Sequence, residues 1–124
     1  MVLSNVPPIV LIVDDEALLR LNATDTLLRA GCRTYEAADT EEALAVLARH
    51  PEISVLFTDV NMPGARDGIA LAGEVHRRWP DVRVMITSGQ ECPSPEDMPP
   101  ETQFFSKPYD LDVIARLVCD GPVK

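Results

Sequence analysis

Short apolar runs alternate with stretches of helical periodicity along the whole chain. Ile9 to Val13 is a continuous apolar run, which is typical of a strand in a sheet that is covered on both faces. Further strands are predicted at 53–58, 82–86 and 103–106, and a weaker one at 33–37, placed mainly by its position between two helices. Strands that alternate with helices indicate a parallel sheet with right-handed crossovers.

The intervening stretches predict helices over about 16–30, 39–50 and 67–79, and a last helix that begins near Asp110. Asp39 and Glu42 have the spacing of a capping box at the start of the second helix, and Pro51 stops it. Residues at helical spacing predict the buried faces. These are Ala17, Leu21, Thr24 and Leu28 in the first helix, Leu71, Val75 and Trp79 in the third, and Leu111, Ile114 and Val118 in the last.

Length and charge narrow the class of protein. The 124 residues fit one domain, and the net charge of −9 argues against nucleic-acid binding, because a phosphate backbone would be repelled. The three cysteines form no C-x-x-C pair, so we expect reduced thiols in a cytoplasmic protein. No signal peptide is recognisable, and the longest apolar run is too short to span a bilayer, so no membrane partner is expected.

Polar residues stand where the predicted strands end. The first strand is followed by Asp14 and Asp15, the third by Asp59, the fourth by Thr87 and the fifth by Lys107. Taken singly, each has an ordinary explanation, such as a helix cap or a surface lysine. Ligands bind outside the carboxyl ends of the strands in an open parallel sheet, however, so we expect these five side chains to share one rim.

The charges at this rim predict its ligand. Carboxylates ~5 Å apart repel by roughly 3 kcal/mol per pair at an effective dielectric of ~20. Lys107 supplies one positive charge against three negative ones, so a cation is required, and oxygen ligands suit Mg²⁺. A carboxylate beside such a metal can act as the nucleophile toward a phosphoryl group, with the metal and Lys107 neutralising the phosphoryl oxygens and Thr87 donating to one of them.

Four segments carry a resemblance to a known family. They are Val13-Asp14-Asp15-Glu16, Thr58-Asp59-Val60-Asn61-Met62-Pro63-Gly64, Ile86-Thr87-Ser88-Gly89 and Ser106-Lys107-Pro108-Tyr109. In this order and spacing, the chain closely resembles the receiver domains of two-component response regulators, from about Ile9 to Cys119. The resemblance implies a flavodoxin-like doubly wound (βα)₅ fold of order 2-1-3-4-5. The receiver domain is expected at residues 9–120, with an N-terminal tail at 1–8 and a C-terminal tail at 121–124.

The resemblance also implies roles for single residues. Asp59 would be the phosphoacceptor, and Mg²⁺ would be held by Asp14, Asp15, Asp59 and the backbone carbonyl of Asn61. Thr87 and Lys107 would contact the phosphoryl group. Phe104 would be the switch aromatic that follows Thr87, and the Lys107–Pro108 bond is expected to be cis. The implied partners are a histidine kinase or histidine phosphotransfer protein and an unknown downstream protein, and the domain would act as a switch that catalyses only its own phosphorylation and dephosphorylation.

The chain departs from the family between Thr87 and Lys107. Four prolines stand in the stretch 90–101, where the family has a fourth helix. Several helical turns are incompatible with these prolines, so we expect an extended or mobile loop with at most one turn near Ser94 to Met98, and Pro95 in its first position. Because that helix usually forms part of the output surface, partner recognition is expected to shift.

We expect a stand-alone receiver, with no DNA-binding or catalytic output domain attached, and three other interpretations compete with this one. A small aspartyl-phosphate phosphatase of haloacid dehalogenase type uses similar groups, but its nucleophile comes first in the chain and a second Asp follows two residues on. Here the Asp pair comes first, and Asn61 stands two residues after Asp59. The chain is also compatible with the receiver segment of a hybrid histidine kinase, although Met1 and the short tails disfavour this. A passive scaffold has no support, because all five key side chains are present.

Overall fold

The computed structural model describes residues 7–62, 64, 66–89 and 93–120, without the side chain of Asp120. Its strands are β1 (Ile9–Val13), β2 (Arg33–Ala37), β3 (Val55–Asp59), β4 (Arg83–Ser88) and β5 (Gln103–Ser106). Its α-helices are α1 (Ala17–Arg29), α2 (Thr40–Arg49), α3 (Gly68–Arg78) and α4 (Leu111–Asp120). The predicted tails and residues 90–92 lie wholly or largely outside the described part.

The five strands form one parallel sheet in the order β2-β1-β3-β4-β5, which confirms the predicted doubly wound fold. Crossover connections place the carboxyl ends of all strands at the same edge. The register sets Val13 opposite Thr58, and Asp59 opposite Thr87. The rim that the sequence predicts is therefore built by strand pairing.

Helices cover both faces of the sheet, as the continuous apolar run of β1 predicts. Ile9, Leu11 and Val13 pack toward α2 and α3, while Val10 and Ile12 pack toward α1 and α4. All five side chains of β1 are buried. This interior strand has apolar contacts on both faces and positions the Asp14–Asp15 pair that follows it.

The predicted buried face of α1 is wrong. Leu21 and Leu28 are 60% and 52% exposed, whereas Ala23 and Leu27 face the sheet. Helix α1 carries leucines around most of its circumference, so its periodicity fits more than one face and the sheet selects the one with the smaller Ala23. The faces predicted for the later helices are confirmed, with Val75 and Ile114 buried.

Capping contacts fix the starts of α2 and α3. The carboxylate of Asp39 accepts from the N–H of Glu42 at 2.8 Å, and the Glu42 side chain accepts from the N–H of Ala38 at 2.6 Å. Asp67 accepts in the same way from the N–H of Ala70 at 3.0 Å. The predicted capping box is thus present, with the reciprocal bond moved one residue toward the N-terminus.

In the proline-rich segment, the described part contains a single short 3₁₀ turn, Pro95–Asp97. Ser94 caps it, Pro95 opens it, and Met98 after it packs against the core on the α2–α3 side. No multi-turn helix occurs between residues 93 and 101. The replacement of the fourth helix by a loop is confirmed for these residues, since proline lacks the N–H that a continuing helix requires.

Candidate metal and phosphoryl site

Three carboxylates meet at the carboxyl edge of the sheet. Asp14, Asp15 and Asp59 each offer an oxygen, and these oxygens lie within 4.8 Å of one another. Asp14 and Asp59 are both only 5% exposed, whereas Asp15 is exposed to solvent. Two buried acids beside one accessible acid form an oxygen cluster that is open on one side, which fits a hard divalent cation.

Asp14 is held by the backbone on both sides. Its N–H donates to the carbonyl of Ala37 at 3.1 Å, and its carboxylate accepts from the N–H of Glu16 at 2.9 Å. Burial raises the pKa of Asp14 above its usual value, and this outweighs the Glu16 hydrogen bond and the attraction of Lys107. A buried carboxylate whose charge is disfavoured gains most from a bound cation.

Arg20 is a residue of this rim that the sequence does not single out. Its Nη1 donates to the carbonyl oxygen of Asp14 at 2.6 Å, and its Nε pairs with Glu36 at 3.0 Å. Arg20 thereby ties the end of β1 to α1 and β2. The available signal is positional, because Arg20 lies in the second turn of the helix that follows the Asp pair.

Both oxygens of Asp59 have partners. Lys107 donates from Nζ to Oδ2 at 3.0 Å, and the N–H of Asn61 donates to Oδ1 at 3.3 Å. Burial lowers the pKa of Lys107, but the hydrogen bond to Asp59 and the charges of Asp59 and Asp14 outweigh it, so this pKa is raised. Lys107 is therefore a positively charged partner of Asp59.

Thr87 lies beside Asp59 in the strand register and is 2% exposed. Together with Asp14, Asp59 and Tyr109 it borders a cavity of about 10 Å³. Its backbone carbonyl accepts from the N–H of Val60 at 2.9 Å. The structure thus brings Thr87, Lys107 and the three carboxylates together as predicted.

The two phenylalanines of β5 face opposite sides of the sheet. Phe104 packs against the core on the α2–α3 side, and Phe105 packs on the α1–α4 side. Phe104 lies opposite Ile86 in the register, and Phe105 lies opposite Thr87. The Lys107–Pro108 peptide bond is cis, as expected.

Gly68 is a second residue that the sequence does not single out. A Cβ at this position would lie 2.0 Å from the carbonyl oxygen of Asp59 and 2.9 Å from the Cα of Val60. Only glycine therefore allows α3 to start directly beneath the end of β3. The signal in the sequence is a glycine immediately after the capping Asp67, where a side chain is normally tolerated.

The fold and the site define an α/β domain of the doubly wound class with an acidic rim whose oxygens are suited to a divalent cation. Comparison with known proteins identifies the family of this domain. The family model "Response regulator receiver domain" matches residues 10–118. The response regulator protein FleR of Pseudomonas aeruginosa is 36% identical over 92% of this chain, and the chain spans 27% of its length.

Solved structures agree with this match. The receiver domain of the hybrid histidine kinase CckA is 33% identical with a TM-score of 0.76, covering 89% of this chain and 94% of that chain. A CheX–CheY–BeF3–Mg complex from Borrelia burgdorferi is 28% identical with a TM-score of 0.79, covering 90% of this chain and 86% of that chain. The chain belongs to the response regulator receiver domain family.

Membership in this family identifies a signalling switch domain of two-component systems. The comparisons favour neither the phosphatase of haloacid dehalogenase type nor the hybrid-kinase segment. Among the residues that the structure describes, none of the helices has the length and apolar character needed to cross a membrane.

Proposed function

We propose that this chain accepts a phosphoryl group on Asp59 and changes its protein contacts as a result. The position of Asp59 carries this proposal, because it is the only one of the three clustered carboxylates that Lys107 contacts within the described residues. A nucleophilic carboxylate beside a fixed cation is suited to attack on phosphorus.

The proposed phosphoryl donor is a phosphohistidine on a histidine kinase or a histidine phosphotransfer protein. A carboxylate oxygen of Asp59 attacks phosphorus, the N–P bond breaks, and the imidazole leaves with the bonding electron pair and then takes up a proton. The product is an acyl phosphate on Asp59. In the proposed arrangement, Lys107 balances the charge of the phosphoryl oxygens and the Thr87 hydroxyl donates to one of them. Hydrolysis of the acyl phosphate at the same site returns the domain to its starting state.

The proposed cofactor is Mg²⁺, held by Asp14, Asp15, Asp59 and the backbone carbonyl of Asn61. The support is chemical, since the cluster offers oxygen ligands and an excess negative charge of two after Lys107 is counted. The cation would supply charge neutralisation for the phosphoryl oxygens. The BeF3–Mg complex of the Borrelia relative supports the same choice of metal.

The proposed readout is the pair Thr87 and Phe104. Phosphorylation would draw the Thr87 hydroxyl toward the new oxygens, and Phe104 would follow on the opposite face of the sheet. Phe104 is only partly buried, and it packs against the same core cluster as Met98 of the proline-rich segment, which stands where the family has a fourth helix. The downstream protein would therefore meet a loop at this surface.

A groove beside the rim supports the proposal of a protein donor. It has a volume of about 400 Å³ and is lined by Lys107 and by apolar residues that include Leu19, Pro108, Tyr109 and Leu111. Because Asp59 is only 5% exposed, a donor histidine has to enter through the rim and contact the surface around it. Leu18 and Leu21, 72% and 60% exposed on α1, extend this surface.

Two further expectations stay predictions. The receiver domain is predicted at 9–120, with tails at 1–8 and 121–124. A cytoplasmic location is predicted because the three cysteines form no C-x-x-C pair in the sequence.

Incubation with acetyl phosphate and Mg²⁺, followed by intact mass measurement, tests the proposed acceptor. The wild type should gain about 80 Da, one phosphoryl group, while Asp59→Asn and an EDTA-treated sample should not. Asp25→Asn is the matched control, since Asp25 is an exposed acid that pairs with Arg29 away from the rim. Labelling that persists in Asp59→Asn would show that Asp59 is not the acceptor.

A further inference from the structure

Two cysteines that play no part in the rim lie in contact with each other. The sulfur atoms of Cys32 and Cys119 are 3.4 Å apart, although the residues are separated by 87 positions in the chain. Cys32 stands just before β2 and Cys119 lies in the last turn of α4. The thiol of Cys119 also donates to the carbonyl oxygen of Ala30 at 3.4 Å, so its sulfur is held in place from two directions.

The two thiols differ sharply in access. Cys32 is buried, whereas Cys119 is exposed and lines a groove of about 470 Å³ between α1 and α4. Burial, together with the hydrogen bond to Cys119, raises the pKa of Cys32 to about 12. A buried neutral thiol reacts slowly with a dissolved oxidant, so Cys119 is the sulfur that an oxidant reaches first.

We propose that Cys32 and Cys119 form a redox-sensitive pair that closes to an intramolecular disulfide when the protein meets a peroxide. The Cys119 sulfur attacks one peroxide oxygen, the O–O bond breaks, and a sulfenic acid and water form. The Cys32 sulfur then attacks the Cys119 sulfur and displaces hydroxide, which leaves as water with the Cys32 proton. Two thiols and one hydrogen peroxide become one disulfide and two waters.

The geometry favours this closure. A disulfide has an S–S distance of about 2.05 Å, so the two sulfur atoms have to approach by only about 1.4 Å from their present contact. Cys119 is in the last turn of α4, where a small shift disturbs few other contacts. The bond would tie the end of α4 to the start of β2 across the C-terminal end of α1.

The test is a peroxide titration of the reduced full-length chain, followed by alkylation and mass measurement. We expect a mass lower by about 2 Da and protection of two thiols. Digestion with trypsin yields Cys32 in peptide 30–33, Cys92 in peptide 84–116 and Cys119 in peptide 117–124. A disulfide-linked pair of peptides 30–33 and 117–124 therefore identifies the bond. The melting temperature should rise by roughly 10 °C, since the bond closes a long loop.

Variants separate the proposed route from others. Cys92→Ser should keep the product. Cys32→Ser should stop at a sulfenic acid on Cys119 that dimedone traps. The peptide map of the oxidised wild-type protein identifies the bond without any substitution. Three results would each overturn the proposal. They are stepwise oxidation of Cys119 while Cys32 still reacts with the alkylating agent, a disulfide that contains Cys92, and a covalent dimer as the main product. None of these outcomes depends on phosphorylation of Asp59.

Discussion

Two contacts hold the carboxylate of Asp59 at the centre of the rim. Lys107 contacts one oxygen and the N–H of Asn61 contacts the other, and the group is almost fully buried. A buried carboxylate that loses its cationic partner is strongly unfavourable, and two further acids stand beside it. The stability of the domain should therefore respond to any change in the positive charge at this point.

Replacement of Lys107 tests this coupling between charge and stability. Lys107→Ala should lower the free energy of unfolding in EDTA by about 2 kcal/mol, because it leaves Asp59 buried without its charged hydrogen bond. Added Mg²⁺ should raise the melting temperature more in this variant than in the wild type, since no Lys⁺ repels the metal. Thermal melts with and without Mg²⁺ measure both effects, and an equal Mg²⁺ response in the two proteins would contradict this account.

Arg20 gives a second prediction at this scale. Arg20→Ala should cost about 1–2 kcal/mol and weaken Mg²⁺ binding severalfold, because the carbonyl of Asp14 and the Glu36 side chain lose their shared donor. Arg29→Ala is the matched control and should cost less than about 0.5 kcal/mol, since its pair with Asp25 is exposed. Denaturant titration measures the stability of the two variants, and calorimetric titration measures their Mg²⁺ affinity. Equal losses in the two variants would remove Arg20 from the site.

At the scale of elements, the junction between β3 and α3 determines where Asp59 lies. The N–H of Gly68 donates to the carbonyl of Val60 at 2.8 Å, and the first turn of α3 packs against the end of β3 with no room for a side chain. Asp67 caps the same turn. The proposed acceptor, Asp59, is thus positioned by an element that begins nine residues after it.

A methyl group at Gly68 should disrupt this junction. Gly68→Ala should lower stability by at least about 3 kcal/mol and reduce Mg²⁺ binding, because its Cβ would lie 2.0 Å from the Asp59 carbonyl oxygen. Gly73→Ala, in the same helix, should instead stabilise by about 1 kcal/mol, since the nearest atom to its Cβ is 3.9 Å away. Urea unfolding of both variants checks the contrast; similar effects would refute it.

The proline-rich segment is the other element that sets this domain apart. In its described part, Glu101, two residues before β5, has a φ of 67°, a left-handed conformation that a non-glycine residue seldom adopts. Met98 and Phe104 both pack against the core on the α2–α3 side. This loop therefore packs on the same side of the sheet as the proposed switch residue.

At the scale of the whole molecule, the rim, the groove and the exposed leucines of α1 are adjacent. Leu19 and Asn22 of α1 line the groove together with Lys107, and Leu18 and Leu21 continue the apolar surface. Leu28 lies on the same stripe of the helix, about 10 Å beyond Leu21. A donor that delivers a phosphoryl group to Asp59 should bury the first two leucines more than the third.

Charge substitutions on α1 test this arrangement. Leu21→Glu should slow phosphoryl transfer from a cognate kinase or phosphotransfer protein about tenfold or more, because an acid desolvated in an apolar contact costs binding energy. Leu28→Glu should change the transfer rate less than about twofold. Acetyl phosphate should label both variants at the wild-type rate, since it needs no protein contact. A uniform loss with both donors would indicate a misfolded variant or a damaged site.

Much of the site is predictable because β1 and β3 are short, apolar and fully buried. A short continuous apolar run indicates a strand in a covered parallel sheet, so the polar residues at its end fall at a known edge of that sheet. The same reasoning fails for α1, where leucines on several faces leave the buried side undetermined until Ala23 and Leu27 pack on the sheet. It also misses Gly68 and Arg20, whose contacts are with backbone atoms at the end of the preceding strand, where residue type alone gives no signal.

By itself, the amino-acid sequence determined the alternation of strands and helices, the five polar residues at the strand ends and the loss of the fourth helix to proline. These depend on local periodicity and on the missing proline N–H. Only the tertiary structure decided which side of α1 faces solvent, which glycine admits α3 beneath Asp59, and that Cys32 meets Cys119. Those features depend on packing between different strands and helices, which local patterns do not encode.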